Sequence, residues 1–317
     1  AGKVTFREYA EQWRAMQPHR PNTANRVRYQ LTRHVYPVLG DRPLARLRAS
    51  DIQAFVSGLD LAPGTTRTVY ATVRAIIAAA VRDRLIGIDP CERIKLPELP
   101  RQRIVPLTVD QVHALAEAMP DRYRALVIVG AGTGLRQGEL FGLQVRDINF
   151  LRRTLTVDRQ VQQAPGGKTV VGPLKTPQSY RTIPLGQVVI DALAAHLAAY
   201  PASGEQFVFT DDHGQPLHRG RFNSGPWAAA RKAAGLPEAT CHDLRHFYAS
   251  ALIRAGLSVK VVSARLGHAN AAMTLNVYTH LWPDDEDRSR QAVDDALSVA
   301  KINPDVPVVR PVKGGDL

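Results

Sequence analysis

Apolar residues recur at helical intervals through most of the chain, which predicts a mainly α-helical protein. Phe6, Tyr9, Ala10 and Trp13 form one face of a helix over residues 5–16, opened by Thr5 and Glu8 at capping-box spacing. A second stripe, Val27, Leu31, Val35 and Val38, follows a break at Pro21 and Asn22 and stops at Gly40. Ser50 or Asp51 caps a short helix to residue 59, and a longer helix over 65–85 turns Val69, Val73, Ile76, Ile77 and Ala80 inward. Between residues 89 and 106, Pro90, Pro97, Pro100 and Pro106 alternate with charged residues, the composition of an extended linker. A helical front domain is therefore expected over 1–97.

The pattern changes once more. Thr108 and Gln111 open a helix to about residue 119, and "RTLTVDRQV", "KTVVGPL" and "YRTIPL" then read as strands of a small antiparallel sheet separated by Gly and Pro turns. From residue 187 the helical period returns, through "CHDLRHFYASALIRAG", "SVKVVSARLGH" and "AMTLNVYTH" to a last helix over 284–300. The expected organisation is an α+β second domain over 98–300 and a mobile tail over 301–317. No internal repeat emerges.

Charge narrows the choice of partner. The chain of 317 residues carries a net charge of +12, and its first 100 residues hold 16 basic against 9 acidic side chains. A polyanion, nucleic acid first, is the expected partner. Two cysteines far apart, no apolar run long enough to span a bilayer and no signal peptide point to the cytoplasm and to no membrane partner. A start at Ala1 rather than methionine leaves room for a further module upstream.

Single motifs decide little. "ALVIVGAGTGLRQGEL" imitates a dinucleotide fingerprint, but the third glycine falls one position early, Leu135 stands in its place, and the alternating strands and helices of a doubly wound sheet do not follow. Gly130, Gly132 and Gly134 read better as ending a helix before a tight turn. In "CHDLRHFYAS", His242 and His246 have the spacing of a helical metal pair, while His242 and Arg245 have that of a phosphate grip. Arg136 with Glu139 could be a surface ion pair, Lys175 a solvated lysine at a hairpin tip, His268 a helix-end charge and Tyr278 a core residue. Together, however, they form a set suited to metal-free phosphodiester chemistry. Guanidiniums can bind nonbridging oxygens, a lysine or histidine can protonate a leaving alkoxide, and a tyrosine can attack phosphorus.

"TGLRQGEL", "LKTPQSYRTIPL", "HDLRH", "LGHAN" and "NVYTH", in this order, resemble the phage integrase, or tyrosine recombinase, family over nearly the whole chain. The resemblance implies a SAM-like helical core-binding domain followed by a DNA breaking-rejoining catalytic domain. It also implies residue roles. Arg136 and Arg245 would clamp the phosphate, with Glu139 supporting the first; Lys175 would protonate the leaving 5′ oxygen; His242 would assist proton transfer; His268 would bond the scissile phosphate; and Tyr278 would form a 3′-phosphotyrosyl bond. Neither metal nor other cofactor is implied. The implied partners are double-stranded DNA carrying recombination sites, three further copies of the chain working through a Holliday junction, and accessory DNA-bending and directionality proteins. Arg26, Arg28, Arg33, Arg67 and Arg74, on the helices at 22–38 and 65–85, are the candidate DNA contacts. The last helix resembles the segment that docks on a neighbouring protomer.

Three other readings remain open at this level. A metal-dependent hydrolase would use the HDxxH pair, although Arg245 on the same face repels a dication. A DNA-binding regulator would keep the fold without the chemistry, and a type IB topoisomerase would share the chemistry without recombination.

Overall fold

In the computed structural model, which describes residues 4–100, 104–281 and 286–298, the capping box at Thr5 forms and opens α1 (Phe6–Met16). Glu8 Oε2 accepts from Thr5 N at 2.8 Å, and Thr5 Oγ1 accepts from Glu8 N at 3.2 Å. Next, α2 (Pro21–Gln30) takes Pro21 into its first turn, where the missing N–H has no partner to lose. The predicted second stripe then meets a π-turn at Leu31–Val35 before α3 (Tyr36–Leu39). Tyr36 N–H donates to Leu31 O there, and the wider turn relieves the clash that Pro37 would impose on a regular helix. The inserted residue rotates the stripe: Val38 is 54% exposed, against expectation, and Leu39 is fully buried in its place.

The fourth helix, α4 (Ala49–Ser57), starts slightly earlier than predicted, and Asp51 lies inside its first turn, accepting from Arg48 N at 3.0 Å. The long α5 (Pro63–Arg82) buries all five inward residues, and with α1–α4 it encloses one apolar cluster that continues to Cys91. The chain after Asp89 is extended but not loose. Tyr70 Oη donates to Cys91 O at 2.9 Å, Gln53 brackets the Lys95 backbone, and Arg67 Nε donates to Pro97 O at 2.8 Å.

A second apolar cluster runs from Val112 to Tyr278. Its helices begin with α6 (Val109–Ala118), α7 (Asp121–Thr133) and the short α8 (Gln137–Phe141). Gly130 and Gly132 lie inside α7, not at its end, where Leu244 and Val189 approach too closely for a side chain. Only Gly134 terminates that helix, at φ +64°. Strands β1 (Ile148–Asn149), β2 (Thr154–Val157), β3 (Arg159–Gln163), β4 (Thr169–Pro173) and β5 (Arg181–Pro184) follow. They pair antiparallel in the orders β1-β2-β5 and β3-β4, and the register sets buried Leu155 opposite buried Ile183.

The remaining helices are α9 (Gln187–Ala199), α10 (Arg219–Ser224), α11 (Pro226–Ala233), α12 (Cys241–Arg254), α13 (Val259–Leu266), α14 (Ala271–Tyr278) and α15 (Glu286–Ser298). The expected mainly α fold with a small antiparallel sheet is what forms. The start and end of the predicted last helix, 284–285 and 299–300, and the predicted tail, 301–317, lie outside the described residues. Among the described residues no helix is long and apolar enough to cross a membrane.

Candidate active site

The site is assembled where helices end. Gly134 leaves α7 in the left-handed conformation, and a Cβ there would come within 2.4 Å of the Tyr248 ring. Two residues later Arg136 stands immediately before α8. Its backbone N–H donates to Glu139 Oε2 at 3.0 Å, its Nη1 to Glu139 Oε1 at 2.9 Å, and its Nη2 to Gly267 O at 3.1 Å. Gly267 is itself the left-handed cap of α13, so that carbonyl is presented by a turn that disfavours other residues.

Thr240 and Asp243 cap α12 reciprocally: Asp243 Oδ2 accepts from Thr240 N at 2.7 Å, and Thr240 Oγ1 accepts from His242 N at 3.2 Å. The HDxxH acid is thus engaged at the helix start. One turn on, Arg245 is 1% exposed, donating Nη1 to Gly134 O at 2.7 Å and Nη2 to Leu266 O at 2.6 Å. Burial, and then Arg136, lower its pKa, yet a guanidinium so placed keeps its proton at neutral pH.

Glu139 sits between two arginines. Arg181, at the start of β5, donates Nη2 to Glu139 Oε2 at 2.8 Å, Nη1 to Ser179 O at 2.8 Å and Nε to Arg265 O at 2.8 Å. Burial alone would raise the pKa of Glu139; Arg181 and Arg136 outweigh it and hold the carboxyl below its ordinary range. Arg181 was not singled out in the sequence, although "KTPQSYRTIPL" carries it six positions after Lys175.

The remaining candidates gather around the same groups. His268 Nδ1 is 2.8 Å from Thr274 Oγ1, which orients its ring, and burial followed by Arg245 and Arg136 lowers its pKa to about 4. His242 is shifted downward by desolvation and then by His246 and Arg245; its side chain is open to solvent, which screens those charges and softens the effect. Lys175 lies in the connection leaving β4, not at the hairpin tip, which is formed by Pro165–Gly167. It faces a cleft of about 750 Å³ together with Arg136, Gln137, Gln160, Arg219 and His242, and Asn22 of α2 closes the far wall.

Tyr278 ends α14 with 1% exposure. Its Oη lies 2.7 Å from His246 Nδ1. Burial pushes the phenol up to about 12, with Arg245 pulling the other way. For the metal pair on α12, His246 Nδ1 is taken by Tyr278, which leaves Nε2 as the nitrogen that could meet an ion. Among the described residues no three His, Cys, Asp or Glu side chains stand close enough to share a metal ion. Of the candidate DNA contacts, Arg26, Arg28, Arg33 and Arg74 are exposed, whereas Arg67 is half-buried and tied to Pro97.

Residues 106–284 match the phage integrase family, and residues 6–96 match the phage integrase central domain. The chain belongs to the phage integrase family. Its relatives in that family include the integrase of Mycobacterium phage FRAT1, 29% identical over 92% of this chain and 88% of the phage protein. A putative prophage phiRv2 integrase of Mycobacterium tuberculosis is 30% identical over 87% and 74%. A XerC-like tyrosine recombinase of Caldanaerobacter subterraneus is 28% identical over 78% and 71%. In fold, this integrase-family chain is similar to the Tn1549 transposon integrase in complex with a circular intermediate DNA, with a TM-score of 0.76, 23% identity, and coverage of 93% of this chain and 99% of that one. It is similar also to a lambda integrase dimer bound to a core site, with a TM-score of 0.65, 20% identity, and coverage of 85% and 97%. The family member described here is a tyrosine-type site-specific recombinase.

Proposed function

We propose that this recombinase cleaves and rejoins duplex DNA at a phosphate held over the cleft by Arg136 and Arg245, with Tyr278 as nucleophile and a 3′-phosphotyrosyl intermediate. What carries the reading is a pair of guanidiniums anchored by backbone carbonyls at the ends of α7 and α13: Arg136 shares the cleft with Lys175 and His242, and Arg245, buried behind it, is near enough to interact electrostatically with both Arg136 and the Tyr278 phenol. Arg245 uses two of its five N–H groups on those carbonyls, so the rest can meet nonbridging oxygens and the charge that builds in the transition state. Lys175 supplies the proton for the leaving 5′ oxygen, His242 assists at the cleft wall, and His268, held neutral and oriented by Thr274, bonds the phosphate. Glu139 keeps Arg136 in register.

Tyr278 and Arg245 are each 1% exposed at rest, so attack requires the chain that covers them to open toward the DNA. In this reading residues 1–97 form the core-binding domain, closing on the duplex from the face opposite the catalytic domain, 98–300. Arg26, Arg28, Arg33 and Arg74 contribute phosphate contacts, and Arg67 a weaker one. Four copies act on two duplexes in the cytoplasm through a Holliday junction, as lambda integrase forms a tetramer bound to one; α15 links neighbours, and accessory bending and directionality proteins set the outcome.

The test is covalent capture on a library of nicked duplexes. The wild-type chain is expected to give an SDS-resistant protein–DNA adduct, and Tyr278→Phe to bind DNA without one. An undiminished adduct from Tyr278→Phe would refute the assignment and move attention to Tyr248.

A further inference from the structure

An attacking phenol must shed its proton, and the imidazole that touches Tyr278 is not the one expected to help. His246 Nδ1 stands 2.7 Å from Oη, with the two rings edge to face at 5.5 Å between centroids. His242, a turn earlier on α12, meets the His246 ring edge to face with centroids 4.7 Å apart, and among the described residues it makes no hydrogen bond to the phenol. The direction of the hydrogen bond follows from satisfaction. Among the described residues Oη has no other hydrogen-bond partner, and Tyr278 is 1% exposed. If Nδ1–H donated to Oη, the phenolic hydrogen would be buried without an acceptor, which is costly. The arrangement that leaves nothing unmet has the Tyr278 O–H donating to an unprotonated Nδ1, with the imidazole proton on Nε2.

We propose that His246 is the proton acceptor for Tyr278. The inference rests on Tyr278 being the nucleophile. As Oη bonds to phosphorus and the bond from phosphorus to O5′ breaks, the phenolic proton passes to Nδ1, while Lys175 gives a separate proton to O5′. On rejoining, the 5′ hydroxyl returns its proton to Lys175 and the imidazolium returns its proton to Oη. Transfer accompanies bond formation, because a phenol this weakly acidic does not ionise first and becomes acidic only as its oxygen bonds to phosphorus.

The charged surroundings suit the role. Among the described residues four titratable groups face His246: Asp243, Arg245 and His242 from its own helix, and Tyr278 from α14. Burial, with Arg245 acting the same way, holds the ring below its ordinary range and so neutral at pH 7, ready to accept. Asp243 opposes that shift and favours the imidazolium once it forms. The spacing that imitates a zinc pair thus has another reading: position 242 serves the cleft and position 246 serves the nucleophile.

The test uses the full chain and a nicked duplex recovered by wild-type capture, with single-turnover adduct formation followed from pH 6 to 9. DNA affinity, read by gel shift, reports folding. His246→Leu removes the acceptor; His246→Asn keeps a hydrogen-bond acceptor near Nδ1 without basicity. Both are expected to bind DNA normally and to form adduct about 10²-fold more slowly at pH 7. Their rates should climb with pH as hydroxide takes over, whereas the wild-type rate stays level above pH 7. A wild-type rate in His246→Leu, a faster rate, or full recovery in His246→Asn would overturn the proposal, the last two by assigning His246 to restraint or to positioning. If His246→Leu loses DNA binding, His246→Asn carries the test alone. Adduct in Tyr278→Phe would instead refute the nucleophile assignment on which this rests.

Discussion

Replacing Glu139 by Gln tests what holds the cationic cradle together. The side chain is 2% exposed and accepts from Arg136 N, Arg136 Nη1 and Arg181 Nη2 at 3.0, 2.9 and 2.8 Å. Glutamine fits the same space, but its amide turns two N–H donors toward guanidiniums that have only donors, and the negative charge is gone. Arg181, with a side chain 6% exposed, is then a buried cation facing another cation. Breaking a buried pair from one side costs about 3–5 kcal/mol. Arg136 is 35% exposed, so water screens its share, which we place below about 1 kcal/mol. Because glutamine keeps one acceptor oxygen, the lower end applies, about 3 kcal/mol out of a total stability of about 5–15 kcal/mol. For a domain of this size that lowers Tm by about 6–12 °C. Thermal unfolding followed by near-UV circular dichroism reads the shift. Arg181→Met added to Glu139→Gln is expected to restore part of it, since the uncompensated charge is removed. A Tm within about 2 °C of wild type would refute the reasoning, because it would mean that the two guanidiniums do not depend on this carboxylate.

Four further outcomes follow from the same geometry. Gly267→Ala places a side chain at φ +64° and about 3.1 Å from Arg181 Nη1, so a stability loss of about 1–2 kcal/mol and slower adduct formation are expected from urea unfolding and single-turnover cleavage. Thr274→Val removes the oxygen beside His268 Nδ1 and should slow cleavage while leaving DNA affinity, read by gel shift, unchanged. The folded-state pKa of Glu139 lies below its ordinary value of 4.5, so its contribution to stability is complete above that pH and is lost as pH falls through the lower folded value; acid titration of Tm should be less steep there in Glu139→Gln. DNA affinity should fall log-linearly with salt, and Arg26→Ala should reduce the slope by about one, as read by fluorescence anisotropy.

Legibility in the sequence tracks how local each feature is. Capping boxes at Thr5 and Thr108 and the inward residues of α5 were readable because caps and helical faces are decided within a few positions. Val38 was misplaced because periodicity assumes an unbroken helix, and Pro37 forces a wider turn just before it. The pattern of "GAGTG" suggests one role where the glycines have two, since close packing on Leu244 and Val189 comes from distant chain. In the site, Arg136, Lys175, His242, Arg245, His268 and Tyr278 were each visible as chemistry-bearing residues in motifs. Arg181 is not legible in the sequence because an arginine in a strand looks like a solvated edge until its carboxylate partner, 42 positions earlier, is placed beside it. The contact between His246 and Tyr278, 32 positions apart, was hidden for the same reason.

The Arg245 guanidinium is fastened to the carbonyls of residues 134 and 266, stretches that come together only when the second cluster is complete. In half-made chains the guanidinium therefore lacks both of its anchors, and on the proposed chemistry strand cleavage waits until these stretches have closed around it.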